Sequence, residues 1–89
     1  MDEQKFRDLA TGEGYTVGDI AVKPANDSND FHAHDFSAKL LVIDGEITVT
    51  TEDGKATTCR TNDVFQLAAG IRHKEQVGPD GVRYLAGRK

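Results

Sequence analysis

The feature that most constrains the fold is a change of hydrophobic period near residue 15. Before this point, Phe6 and Leu9 lie three residues apart in a segment that is acidic at its start, which predicts a short helix over residues 2–10. After it, apolar and polar residues alternate and β-branched residues become common, as strands require. The sequence therefore predicts an N-terminal helix or arm at 1–14 and one β domain at 15–89.

Turn-forming residues divide the β region into short segments. Asp53-Gly54 readily adopts the positive backbone angles of a hairpin turn, and Pro79-Asp80-Gly81 predicts a second turn. Eight short strands in so few residues are typical of a small antiparallel jelly-roll barrel. The predicted strands are Tyr15 to Lys23, Asp30 to His34, Ala38 to Asp44, Glu46 to Thr51, Ala56 to Arg60, Val64 to Leu67, His73 to Val77 and Val82 to Ala86.

The predicted strand from Ala38 to Asp44 is apolar on both faces, with Leu40 and Val42 on one side and Leu41 and Ile43 on the other. A single small barrel has only one interior, so the second face needs a cover. In a chain of 89 residues that cover is either a second subunit or the N-terminal helix. We expect a homodimer, with the helix as the competing explanation.

Charge and composition exclude several classes of partner. The net charge is −4 with scattered charges, which argues against nucleic acid and anionic membranes. The longest apolar run is only Leu40 to Ile43, too short to span a bilayer, and the first residues lack a secretory pattern, so we expect a cytoplasmic protein. The single cysteine, Cys59, has no partner for an internal disulfide and is expected to be a buried, unreactive thiol.

The three histidines are the most informative residues for function. His32 and His34 are two residues apart, so in a strand their imidazoles share a face and can converge on one ion. His73 follows a loop that could deliver it beside them. By itself, a His-x-His pair is more often solvated than metal-bound.

In its order of histidines and turns the chain resembles the cupin superfamily of small jelly-roll barrels. The first cupin motif runs His-x-His, three or four residues, Glu, six residues, Gly. Here His32-Ala33-His34 is followed at that spacing by Ala38 and Gly45. The second motif runs Gly, five residues, Pro-x-Gly, two residues, His. It corresponds to Asn62, Ala68-Ala69-Gly70 and His73, and the resemblance covers about residues 15 to 87.

One departure from the motifs has a chemical consequence. The position of the usual glutamate ligand holds Ala38, or Lys39 in the neighbouring alignment, so the resemblance implies a three-histidine site made of His32, His34 and His73. Three neutral imidazoles leave the charge of a divalent ion uncompensated, which favours acids or enolates as ligands, and they leave coordination positions open. The ion expected is Fe, Ni, Zn, Mn or Cu, since imidazole does not discriminate among them.

The resemblance leaves two functions open, beside a third interpretation in which the site is decayed and only the barrel and its dimer contacts remain. The first is a metal enzyme, either an oxygenase, as some three-histidine cupins are, or a metal-assisted isomerase or lyase, acting on a small organic acid or dicarbonyl. The second is a non-catalytic cupin that binds a small sugar or acid as a sensor or accessory module. Acid or base groups near the metal would favour an enzyme, but none is evident in the sequence, because Ala38 replaces the obvious carboxylate. The candidate pocket residues are Ala38, Gln66, Arg72 and Tyr84.

Overall fold

The computed structural model describes all 89 residues. The chain begins with one helix, α1 (Glu3–Gly12), whose first turn is capped by the Asp2 carboxylate accepting a hydrogen bond from the Lys5 amide at 2.8 Å. The helix has the position that its sequence pattern predicted. No helix in the protein is both long enough and apolar enough to cross a membrane.

The remainder of the chain is a curled antiparallel sheet, as predicted for a jelly-roll barrel. Two long strands, β3 and β6, pair along their whole length, and the four shorter strands pair with one or the other of them. The strands are β1 (Thr16–Val17), β2 (Ala21–Lys23), β3 (Ala38–Thr51), β4 (Ala56–Arg60), β5 (Val64–Leu67) and β6 (His73–Arg88).

The hairpin predicted at Asp53-Gly54 is confirmed. Gly54 has a φ of 90°, the Thr51 amide bonds the carbonyl of Lys55 at 2.9 Å, and β3 and β4 pair on either side of the turn. The predicted strands β4 and β5 are also confirmed at their predicted boundaries. These elements depend on local turn chemistry and alternation, which a sequence shows directly.

At two positions where the sequence predicted that one strand ends and another begins, the structure has an irregularity within one long strand. Asp44-Gly45 does not separate two strands, because β3 continues through it, with register shifts on either side. Pro79-Asp80-Gly81 does not form a hairpin turn: β6 continues past it, and residues 78–81 form a bulge opposite Glu46. Gly45 has a φ of 79°, and a side chain there would collide with the carbonyl of Gly81, so glycine lets the strands stay close at this irregularity.

Two other predicted strands are shorter than expected. The segment Tyr15 to Lys23 is interrupted between β1 and β2, and Asp30 to His34 forms only an isolated bridge, at His32. The interruption follows from Gly18, which weakens a strand interior. The segment around His32 makes irregular backbone bonds to β6 in place of a regular ladder.

The hydrophobic core is divided between the inside and the outside of the barrel. Inside, Val42, Ile47, Cys59, Val77 and Val82 form a buried cluster, so Cys59 is buried as expected. Burial also raises the pKa of the Cys59 thiol, which keeps it protonated and unreactive.

Outside the barrel, α1 lies on β3 and β6. Its residues Phe6 and Ala10 pack with Tyr15, Leu41 and Leu85, and all five are buried. Leu41 thus faces the helix while Val42 faces the interior, as the alternation predicted. The helix covers the outer face of β3, which the sequence predicts to be buried against a second subunit. This face therefore does not require a dimer. The homodimer itself stays a prediction.

Candidate metal centre

Three histidines that are distant in sequence lie together at one end of the barrel. His32, His34 and His73 each offer one ring nitrogen, and these three atoms lie within 4.8 Å of one another. The centroid of the His73 ring is 4.4 Å from that of His32 and 5.4 Å from that of His34. The structure therefore has the side-chain convergence that spacing alone could not establish.

Backbone bonds bring the His-x-His segment to the start of β6. His32 and His73 lie directly opposite each other and exchange both amide hydrogen bonds, each of 2.9 Å. Gly70, with a φ of 83°, turns the preceding loop and donates its amide hydrogen to the carbonyl of His34 at 2.8 Å. These hydrogen bonds hold the loop before His73 against the loop that contains His34. The three histidine side chains are thereby brought to the same place.

The hydrogen bonds of two rings determine which nitrogen is free. Nδ1 of His32 lies 2.9 Å from the carbonyl oxygen of Asp30, and Nδ1 of His73 lies 2.9 Å from that of Ile71. A carbonyl oxygen only accepts, so Nδ1 carries the hydrogen in both rings and Nε2 keeps its lone pair. Both rings are thereby oriented for binding through Nε2, in the way that outer hydrogen bonds orient metal ligands.

The third ring, His34, is held by stacking. It lies parallel to Phe36, with ring centroids 4.7 Å apart and an interplanar angle of 16°. Although His34 is largely exposed, desolvation of its ring and the neighbouring His32 and His73 lower its pKa. A lowered pKa keeps the imidazole neutral at pH 7, and the neutral form is the one that coordinates metals.

The donor set fits a borderline divalent ion. Metal–imidazole bonds of about 2.0–2.1 Å require ligand nitrogens no more than about 4.2 Å apart, so small rotations of these rings suffice for three bonds to one ion. His73 is buried, His32 is partly exposed and His34 is exposed, so the set is anchored on one side and open on the other. Three ligands with an open side are typical of catalytic metal sites and not of closed structural ones.

The histidines lie at the wall of a cavity of about 280 Å³. Apolar side chains from β3 and β5 line part of it, among them Leu40, Phe65 and Leu67. Tyr84 of β6 contributes a phenol whose pKa is raised by burial, so the hydroxyl remains a proton donor at neutral pH. The cavity combines an apolar interior with a few polar groups, as small-molecule sites do.

A carboxylate that the sequence analysis missed faces the same cavity. Glu75 Oε1 lies 3.9 Å from Nε2 of His32 and accepts a 2.9 Å hydrogen bond from the Asn29 amide. Lys23 Nζ lies 3.9 Å from the same oxygen. The signal was in the sequence, because Glu75 is two residues after His73 in a predicted strand and so shares its face, as His32 and His34 do.

A cation was missed for a different reason. Arg88 also lines the cavity, with its guanidinium 4.6 Å from the centroid of the Phe36 ring. The predicted final strand stopped at Ala86, one alternation too early, whereas β6 runs on and brings Tyr84, Ala86 and Arg88 to the same face. Backbone hydrogen bonds between Ser37 and Lys89 hold this end of the strand in place.

The candidate pocket residues separate into two pairs. Ala38 and Tyr84 line the cavity. Gln66 lies in register with Lys39 on the outer face of the sheet, and the cavity is lined by its neighbours Phe65 and Leu67. Arg72 is exposed and bonds Glu52 through Nε at 2.6 Å, away from the cavity.

Comparison with known proteins agrees with this architecture. A DUF861 family protein from Thermotoga maritima is 23% identical, with a TM-score of 0.70 over 97% of this chain and 90% of that one. A cupin-2 domain containing protein from Shewanella frigidimarina is 15% identical, with a TM-score of 0.66 over 81% of this chain and 67% of that one. The chain has the cupin fold.

A third similar structure is of DMSP lyases, and this chain aligns with only part of that larger protein. It is 11% identical, with a TM-score of 0.71 over 79% of this chain and 36% of that one. No protein-family model matches the sequence, and no curated protein is a significant relative. These likenesses are to the fold, so the function of this chain has to be argued from its own site.

Proposed function

We propose that this cupin binds one divalent metal ion through Nε2 of His32, His34 and His73 and catalyses proton transfer on a small organic acid or dicarbonyl. The convergence of the three ring nitrogens, all within 4.8 Å of one another, carries the proposal. Its support is that two of the rings are oriented by bonds at Nδ1 and the third is kept neutral.

Acid and base groups beside the histidines favour an enzyme over a binding module. When bound, a divalent ion would polarise a ligand's carbonyl or carboxylate oxygen and make a neighbouring C–H bond more acidic. Glu75 has a free carboxylate oxygen to accept that proton, since its other oxygen is held by Asn29. Tyr84 lines the cavity with a protonated hydroxyl that can donate to a developing enolate oxygen.

The class of reaction is an isomerase or lyase and not an oxygenase, because the cavity has groups that move protons. The cupin fold is compatible with such chemistry, since one of the similar structures is of DMSP lyases. The absence of a glutamate at Ala38 leaves the site electropositive, which favours an anionic substrate. An oxygenase would instead require iron or a similar redox metal and would not need Glu75.

Metal content tests the first half of the proposal. Protein purified from cells grown with Fe, Zn, Ni and Mn should contain about one ion per chain. Most of this metal should be lost in each of the single variants His32→Ala, His34→Ala and His73→Ala. Gln66→Ala, on the outer face of the sheet, is the control and should keep the wild-type content. A wild-type protein that stays free of metal would overturn the proposal.

Proton exchange tests the second half. In D₂O, the metal-loaded protein should exchange the proton next to the carbonyl of 2-oxobutanoate faster than the same concentration of free metal, as followed by NMR. Glu75→Gln should slow this exchange about 100-fold or more, as removal of a general base does, while leaving metal bound. Metal binding without exchange would favour the sensor or accessory module.

The predicted homodimer belongs with this proposal and has its own test. At about 10 µM, well above the dissociation constant of an ordinary stable interface, the protein should sediment as two copies. Leu41→Asp is unsuitable as the disrupting variant, since Leu41 lies beneath α1 and its substitution would unfold the chain. Val22→Asp is the better variant, because Val22 is exposed on the short edge strand β2. A monomer would contradict the dimer.

A further inference from the structure

The cation over Phe36 has no partner within the protein. Two cations line the cavity, and Lys23 lies 3.9 Å from the Glu75 carboxylate. Arg88 has no carboxylate within 4.0 Å. Arg88 is exposed, and its guanidinium lies over the Phe36 ring, a contact that can orient a planar cation while its N–H groups stay available to a ligand.

The position of Arg88 in the sheet explains why it is free. Arg88 is the register partner of Ala38 across the β3 and β6 pair, so the two side chains lie side by side on the cavity face. A carboxylate at position 38 would be within reach of the guanidinium. Since residue 38 is alanine, the chain supplies no anion there.

Arg88 also has a fixed relation to the histidines. Phe36 lies between them, with its centroid 4.7 Å from the His34 ring and 4.6 Å from the Arg88 guanidinium. The cation is therefore within two ring spacings of His34, one of the candidate metal ligands. This separation suits the two ends of a molecule a few carbons long.

We infer that Arg88 is the carboxylate-binding residue of the cavity, and that the ligand is a small dicarboxylate or oxo acid with its second polar group at the three histidines. The inference rests on the proposed metal site and specifies its substrate class. The guanidinium edge would bind a carboxylate through two parallel hydrogen bonds, and the contact with Phe36 would hold the group at the cavity wall. The ligand's carboxylate thus occupies the place that a side chain at position 38 leaves empty.

The test uses matched pairs of acids that differ in one charge. Malonate, succinate and glutarate, and the monoamide of each, are titrated into metal-loaded protein by calorimetry. At least one diacid should bind about tenfold more tightly than its monoamide. Arg88→Gln should remove this preference, and Arg88→Lys should restore part of it as a point charge without the planar fork.

Controls separate this inference from the proposed function. Arg72→Gln removes the same charge outside the cavity and should leave the preference intact. Metal content, measured on every variant, should not change with Arg88→Gln. Normal metal content with no diacid preference, or a preference unchanged by Arg88→Gln, would overturn the role of Arg88 alone. Loss of metal from the wild type would instead overturn the proposed function.

Discussion

The two faces of β3 have opposite characters although their residues alternate along one strand. On the outer face, Lys39 and Leu41 lie beneath α1 and are 7% and 1% exposed. On the inner face, Ala38 and Leu40 line an open cavity that also contains the three histidines. The closed face has the ion pair between Lys39 and Glu13, and the open face has the groups proposed above for proton transfer and ligand binding.

This difference shows how a small chain separates stability from chemistry. The buried contacts of α1 stabilise the sheet from behind, so the inner face can leave part of its surface open and polar. If the separation holds, substitutions on the outer face should alter the free energy of unfolding and leave metal binding intact. Substitutions at the open, cavity-lining end of the inner face, such as at Ala38, should do the reverse.

The largest effect is expected from Phe6→Ala. Phe6 is fully buried between the helix and the sheet, and its truncation should lower the free energy of unfolding by about 3–5 kcal/mol. Urea denaturation of the metal-free protein measures this loss. Leu9→Ala, on the exposed side of the same helix, should change stability by no more than about 0.5 kcal/mol. A metal affinity that fell with Phe6→Ala under folding conditions would break the comparison.

A smaller loss is expected from Lys39→Glu, which places a second carboxylate beside Glu13 on the outer face. Burial of an unpaired charge should cost about 2–3 kcal/mol, less than in a fully enclosed site because Glu13 is partly exposed. Lys39→Met, which keeps the apolar stem, should recover much of this loss. Chelator competition on the folded variant should give the wild-type metal affinity.

The matching inner-face substitution is Ala38→Glu. Its carboxylate would face the cavity, so metal retention should rise about tenfold in competition with a chelator, without a similar rise in Lys39→Glu. Equal effects of the two would mean that the faces are not distinct. Unchanged retention with loss of dicarboxylate binding would show that the new carboxylate pairs with Arg88.

The smallest effect is expected from mild acid. Protons compete with metal for imidazole, but the lowered pKa of His34 moves that competition below the ordinary value of 6.5. Metal affinity should therefore change little between pH 8 and 7 and fall as the pH drops below about 6. Dialysis at each pH followed by metal analysis measures it. Loss of half the metal already at pH 7 would contradict the stated direction of the shift.

The elements that the sequence predicted correctly are those determined by residues close together in the chain. The helix, the hairpin at Gly54 and the opposite facing of Leu41 and Val42 follow from capping, turn chemistry and alternation. The three histidines were identified because motif spacing stands in for long-range contacts. The bulge at residues 78–81 could not be predicted, because its Pro-Asp-Gly sequence equally suits a turn and only the partner strand decides between them.

Glu75 and Arg88 illustrate a different limit. Both lie at inward positions of β6, yet the bulge between them shifts the inward residues from odd to even numbers. Alternation counted from His73 finds Glu75 but assigns Arg88 to the wrong face. A sequence pattern therefore locates the groups near its anchor, and register is needed for those beyond an irregularity.

The bridge between His32 and His73 gives a bound ion a mechanical role as well. His32 and His73 are separated by 40 residues in the sequence, and two backbone hydrogen bonds between them close this loop. An ion bound by both side chains would add a second link between the same two residues. Such a link opposes opening of the loop, and its contribution to the free energy of unfolding grows with the free metal concentration. Amide exchange at residues 26–34 should then slow when metal is added, so that this segment would report the occupancy of the site in solution.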